Sequence, residues 1–238
     1  MNAWLYSIGL QWKLDIRSRS LLVTCYLVPL LFFLLMGGIF TSLMPDAKET
    51  LLPSMTVMGV SMGALIGLPP SLAESYGSDI RKAYRAGGAP LCLGLVSTAL
   101  STLLHLLLLS AILYVVAPLL FGAAMPKSAP AYAGALGLTI LVSIGVGSVL
   151  GLSVRNQSKL TMVSQLVFLP SLLLSGILFP ASLLPAPLRL TGKLFPATWG
   201  YALMQDGGFY LGNLWPPLVI LLGLLGLLWI RLRRLRAA

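Results

Sequence analysis

Six stretches of this chain, roughly 21–44, 52–73, 91–121, 131–154, 160–179 and 214–230, contain no Asp, Glu, Lys or Arg. Each such residue costs roughly 2.5–3.5 kcal/mol at the middle of an inserting helix. About 20 apolar residues suffice to cross the hydrocarbon core as a helix. Lipid offers the backbone no hydrogen-bond partner, so each run must satisfy its own amides as an α-helix. The chain therefore reads as an all-α, polytopic integral membrane protein with six transmembrane helices. Only 9% of its 238 residues are charged and 58% are hydrophobic, whereas a soluble domain carries about 25% charged residues. No room is left for a sizeable soluble domain. The third run is longer than a span needs and is expected to end near Pro118.

The net charge of +10 would suggest nucleic acid in a soluble protein. Here the basic residues lie almost wholly outside the apolar runs, where they set topology and meet anionic headgroups. With both termini cytoplasmic, the inner segments hold Lys13, Arg17, Arg19, Arg81, Lys82, Arg85, Arg155, Lys159, Arg231, Arg233, Arg234 and Arg236. The outer segments hold Lys48, Lys127, Arg189 and Lys193. The opposite orientation would invert this bias, so the expectation is a multi-pass protein of the cell inner (plasma) membrane. The first run is longer than a signal-peptide core and lacks a convincing small-residue cleavage site, so it is expected to remain as a span. Cys25 and Cys92 provide no disulfide framework.

Three segments outside the spans have character of their own. Residues 2–18 place Trp4, Ile8 and Trp12 at helical spacing with Gln11, Lys13, Asp15 and Arg17 as polar partners. That pattern predicts an interfacial helix on the inner leaflet rather than a disordered tail. Residues 75–90 form the longest cytoplasmic loop. In it Ile80 and Tyr84, and Arg81 and Arg85, are four apart and share helix faces, before Gly87, Gly88 and Pro90 stop the helix. This is either a docking helix or a solvated positive-inside loop. Residues 180–213 combine Pro180, Pro185, Pro187 and Pro196 with apolar stretches, a combination that two short helices dipping back into the outer leaflet would explain.

The motifs divide between packing and chemistry. Gly59, Gly63 and Gly67, and again Gly147 and Gly151, stand at four-residue spacing, which lets helices approach closely. Gly59-Val60-Ser61-Met62-Gly63 matches the nucleophile pattern G-x-S-x-G, and His105 could serve as its base, which defines an intramembrane serine hydrolase as the alternative reading. Ser61 lies inside a helical run, however, whereas that motif belongs to a strand-to-helix turn. Two distant cysteines and one histidine cannot form a zinc site. Gly192-Lys193 is followed by Leu194 and preceded by Pro187 where a phosphate loop needs glycine, so ATP is not bound in the Walker manner. Asn156-Gln157-Ser158 is formally a glycosylation sequon but falls on the inner side.

The stretch from Leu174 through Ser175, Gly176, Ile177, Leu178 and Phe179 to Pro180, then Leu184-Pro185, then Phe195-Pro196-Ala197-Thr198-Trp199-Gly200-Tyr201-Ala202, resembles the signature of the type-2 ABC exporter permeases. Glu74, Gly77, Arg85 and Pro90 are similar to that family's loop after the second span. Trp199-Gly200 stands where Leu-Thr is more usual, and Gly87-Gly88 loosens the end of the cytoplasmic helix. The resemblance implies a single transmembrane permease domain over 1–238 without enzymatic activity of its own. Two permease subunits, as a homo- or heterodimer, would form the pathway in the lipid bilayer, with ATP and Mg bound by separate ABC ATPase subunits. It implies an interfacial helix at 2–18, a coupling helix at 76–88 with Glu74, Ile80, Arg81, Lys82, Tyr84 and Arg85 meeting the ATPase, and a second contact at 155–159. It further implies an external re-entrant hairpin at 180–207 and a pathway along the second and fifth spans near Ser61, Gln165, Phe168 and Ser171. Apolar walls with a few hydroxyls favour an amphipathic, lipid-like, drug or peptide cargo over a small ion. An ATP-independent channel is the third reading.

Overall fold

The computed structural model describes residues 3–76, 90, 92–205 and 211–237, and every regular element among them is helical. In chain order these are α1 (Ala3–Arg17), α2 (Arg19–Leu43), α3 (Leu51–Ser75), α4 (Cys92–Phe121), α5 (Ala129–Ser153), α6 (Gln157–Leu174), α7 (Ala186–Gly192), α8 (Pro196–Gln205) and α9 (Leu211–Ala237). Short 3₁₀ turns occupy Pro45–Glu49 and Ala181–Leu183. Among the described residues five helices, α2, α3, α4, α5 and α9, are long and apolar enough to cross a membrane.

The fifth expected span is α6. It has 18 residues, about 27 Å at the α-helical rise, and its first turn carries Gln157, Ser158 and Lys159. Its helix ends at Leu174 rather than 179, because Gly176 takes a φ of 86°, a left-handed conformation that glycine adopts without a Cβ clash. Asn156 of the apparent sequon is its N-cap, accepting a 3.0 Å hydrogen bond from Lys159 N. The third span also departs from expectation. α4 continues through Pro118 to Phe121, whose ring seats against Gly37 and lies edge-on to Phe33 of α2 at 5.3 Å. That contact holds the last turn although Pro118 removes a backbone donor.

α3 is the centre of the bundle. All residues from Leu51 to Ser61 are buried, whereas α2 and α9 lie at the periphery with Leu31, Leu35, Leu222 and Leu225 exposed. An apolar exterior of this extent suits lipid rather than water. Glycines set the central packing. A Cβ on Gly147 of α5 would collide with the Ala64 carbonyl oxygen of α3, and one on Gly151 would come within 2.9 Å of the Pro69 carbonyl. On another side of α3, Gly59 and Gly63 receive Leu109 and Leu106 of α4.

Two π-helical turns, Val23–Leu27 in α2 and Gly63–Gly67 in α3, pack against each other. Cys25 of the first lies against Gly63 and Gly67 of the second. Both precede a proline, Pro29 and Pro69. A proline ring removes a donor and crowds the carbonyl four residues back, and local widening of the helix relieves that crowding.

The helix expected over 2–18 forms as α1, but its polar side is not simply left to headgroups. Asp15 is buried, accepting hydrogen bonds from Ser101 Oγ of α4 and, at 2.9 Å, from Gln11 Nε2. Trp12 stacks on His105 of α4 with centroids 4.4 Å apart. A buried carboxylate is tolerated when its lone pairs are met by donors, so α1 joins the helical bundle.

Candidate functional site

At one end of the bundle the loop after α2 and the loop after α4 are tied together, Ala124 N donating to Lys48 O at 2.9 Å. α8 reaches the same end, since Gln205 lines a pocket with Glu49, Ala124 and Lys127. Gly200, which departs from the family pattern, is where α8 crosses α5. A Cβ there would lie 2.6 Å from Thr139 Cγ2. α7 and α8 form a helical hairpin closed by side chains of the second helix. Thr198 Oγ1 donates to Gly192 O at 2.6 Å and Trp199 Nε1 to Lys193 O at 2.8 Å. The first is a second donor to a carbonyl already bonded to Phe195 N, and the second meets the carbonyl just past α7.

Between the ends of α2 and α3, the turn after α6, and α8 lies a cavity of about 650 Å³. Phe40, Met44, Ile177, Phe179 and Tyr201 supply much of its wall. Its polar groups are few. Ser175 Oγ is committed to Leu172 O and Ile177 N, and Thr198 to Gly192. Ser54 is buried, yet its hydroxyl, like the Tyr201 hydroxyl and the Gln205 amide, has no hydrogen-bond partner among the described residues. A second cavity of about 490 Å³ adjoins the first, sharing Thr50 and Gln205, and is lined by Glu49 and Lys127.

The residues expected along the pathway divide. Ser61 and Ser171 are buried and meet, with Ser143 of α5, around one small cavity. Phe168 is buried on the same side of α6. Gln165 lies on the opposite, exposed face of α6 beside Met162, Leu166 and Leu169. Glu74 is exposed near the end of α3. Ile80, Arg81, Lys82, Tyr84 and Arg85, and with them nearly all of the expected coupling helix, lie outside the described residues. Ser54, Ser143 and Gln205 were not singled out from sequence. Isolated hydroxyls and amides carry no motif, and of the cavity's unpartnered groups only Tyr201 stood inside the quoted signature.

The hydrolase arrangement is not supported. His105 Nδ1 pairs with the Tyr26 hydroxyl at 2.7 Å while the ring stacks on Trp12. No hydrogen bond joins it to Ser61, which faces Ser143 and Ser171. A serine without a base in reach is an ordinary alcohol.

The profile of the ABC-2 type transporters matches residues 3–209, most of the chain. This protein is a member of the ABC-2 type transporter family. Over 108 residues it is 30% identical to the probable multidrug ABC transporter permease YbhS of Escherichia coli strain K12. The same figures hold for the YbhS of Escherichia coli O157:H7. The matched stretch is 41% of this chain and spans only 28% of the length of those curated relatives. Membership makes this ABC-2 chain a membrane component of transport.

Proposed function

We propose that the chain is the membrane subunit of an ATP-driven exporter in which two permease subunits form the pathway and separate ABC ATPase subunits bind ATP and Mg. α6 serves as the fifth of six spans, both termini are cytoplasmic, and the end carrying Lys48 and Lys127 faces outward. The observation that carries this reading is the cavity of about 650 Å³ between α2, α3, the turn after α6 and α8 in a chain of this family. Its wall is apolar with a few free hydrogen-bonding groups, the composition of a small-molecule site. An amphipathic cargo fits such a wall better than an ion, which would need charged or carbonyl ligands throughout.

Gln165 supports pairing with a second subunit. Its amide sits on an otherwise apolar exposed face without a partner among the described residues, and lipid cannot satisfy it. A facing subunit, or a polar pathway between two subunits, would. ATP binding by the partner would favour one pore state over the other through its differential affinity for the two, transmitted through the segment 76–88 and the α5–α6 turn.

The test is purification of the chain expressed with its ATPase, followed by substrate-stimulated hydrolysis in reconstituted vesicles. Tyr84→Ala should weaken co-purification or uncouple hydrolysis while membrane insertion is unchanged, since aromatic anchors dominate interface energy. Combined Arg81→Glu and Arg85→Glu should weaken the complex further at low salt, with part of the difference lost at high salt. Wild-type values in both variants would sink the coupling assignment.

A further inference from the structure

The two adjoining cavities at the Lys48–Lys127 end differ in character, and this difference names a ligand class. The larger is a chamber walled by Phe40, Met44, Ile177 and Phe179. The smaller, reached past Thr50 and Gln205, is bordered by Glu49 on one loop and Lys127 on the other. Among the described residues neither side chain has an ion-pair partner, so each charge is available to a ligand. Along the route the groups unpartnered among the described residues are the buried Ser54 hydroxyl, the Tyr201 hydroxyl and the Gln205 amide, all lining the chamber. Volumes of about 650 and 490 Å³ lie within the roughly 300–1,000 Å³ of small-molecule sites.

We infer that this pair of cavities within one subunit is a binding site for a single-tailed amphiphile with a zwitterionic headgroup. The tail fills the apolar chamber. Ester or hydroxyl groups next to the tail meet Ser54, Tyr201 and Gln205. The anionic part of the headgroup faces Lys127 and its cationic part faces Glu49. A purely anionic head would leave Glu49 opposed to like charge, and a purely cationic one would do the same to Lys127. A neutral head would use neither charge. The inference rests on the permease reading for what the site delivers, but not for whether it binds.

Equilibrium binding of lysophosphatidylcholine to the full chain purified in a maltoside detergent tests this, with the monoacylglycerol of equal chain length as neutral comparator. The wild type should bind lysophosphatidylcholine about tenfold tighter than the monoacylglycerol, the size of one charge-assisted hydrogen bond. Lys127→Gln and Glu49→Gln, both on exposed loops where folding is not at stake, should each erode that preference and leave monoacylglycerol binding unchanged. Ala202→Phe, which fills the chamber, should weaken both probes. A photoreactive lysophosphatidylcholine should label Met44 or Tyr201. Equal binding of the two probes by the wild type, insensitivity to both loop substitutions, or labelling confined to other surfaces would overturn the inference, as would crosslinks showing a second copy of the chain seated over Phe40 and Met44. If the ATPase assembles and hydrolyses normally while the probes fail, the site falls and the permease reading stands. If the probes bind but no ATPase assembles, the reverse holds.

Discussion

Asp15 and Ser101 stand 86 residues apart in sequence and share a hydrogen bond in the interior of the bundle, the Ser101 hydroxyl donating to Asp15 Oδ2. The pair fastens α1 to α4, and Gln11 Nε2 completes the coordination of the same carboxylate. Ser101→Ala removes one donor and leaves the charge buried with a single partner. Losing a hydrogen bond to a charged group costs about 1.5–3 kcal/mol. The expected result is a lowered unfolding temperature in detergent. Asp15→Leu in the Ser101→Ala background should recover part of the loss, because an apolar pair buries no unmet charge. Additive losses in that double variant would show that the two side chains do not interact.

The ring of His105 is held from two sides, by the Tyr26 hydroxyl and by the face of Trp12. Tyr26→Phe should lower stability by about 1 kcal/mol, the usual contribution of one hydrogen bond, and His105→Leu should retain transport in proportion to the folded protein recovered. Ser61→Ala should leave any hydrolytic activity of the preparation unchanged. Loss of a serine-directed probe's labelling in both the Ser61 and His105 variants would revive the hydrolase reading.

What the sequence made legible, and what it did not, follows from which physical terms leave a local trace. Uncharged runs mark spans because the cost of a charge in lipid acts on every residue of the run. The glycines at 147 and 151 reveal close packing because only their missing Cβ admits the α3 backbone. Asp15 misleads, because an acidic residue in an amphipathic segment looks solvated, and its partner lies on a helix far along the chain. The end of α6 was overshot because the apolar run continues past Gly176, although that glycine was itself the signal. The π turns left a trace in Pro29 and Pro69, but a proline alone does not distinguish a kink from a widened turn. The turn after α6 and the part of α8 that line the cavity carry the quoted signature, whereas its walls from α2, α3 and the turn between them have no local pattern.

The α3–α5 contact yields a paired test on one helix. Gly147→Val should abolish recovery of folded protein, since its Cβ would occupy the space of the Ala64 carbonyl oxygen. Gly137→Ala on α5 meets nothing within 4 Å and should leave folding intact, or improve it by up to about 1 kcal/mol through helix propensity. Monodisperse yield and thermal unfolding read both. Equal behaviour of the two variants would contradict this packing.

Orientation is tested in a background lacking Cys25 and Cys92. A cysteine placed at Lys127 should react with a membrane-impermeant maleimide added to intact cells, and one at Gln157, beyond α5 at the other end of the bundle, only after permeabilisation. Labelling at Gln157 from outside would invert the map and with it the assignment of the Lys48–Lys127 end to the exterior.

The α7–α8 hairpin gives the last prediction. On α7 and the turn that follows it, Arg189 and Lys193 stand four residues apart, as do Leu190 and Leu194, and bonds from Lys193 N to Leu190 O and from Leu194 N to Thr191 O continue the coil past Gly192. Leu183, Leu190 and Leu194 are 71%, 68% and 77% exposed, a run of apolar surface that contact with water would penalise. Lying along the outer leaflet, the leucine stripe would sink among the acyl chains while the two basic side chains extend their stems to the headgroups. Cysteines at 190 and 194 should therefore react with a lipid-soluble maleimide and resist an impermeant one, whereas a cysteine at 189 should react with both. Leu194→Lys should reduce transport with little loss of the bundle itself, because Leu194 is exposed rather than part of the core. Rapid impermeant labelling at 190 and 194, with Leu194→Lys fully active, would make the hairpin an ordinary external loop.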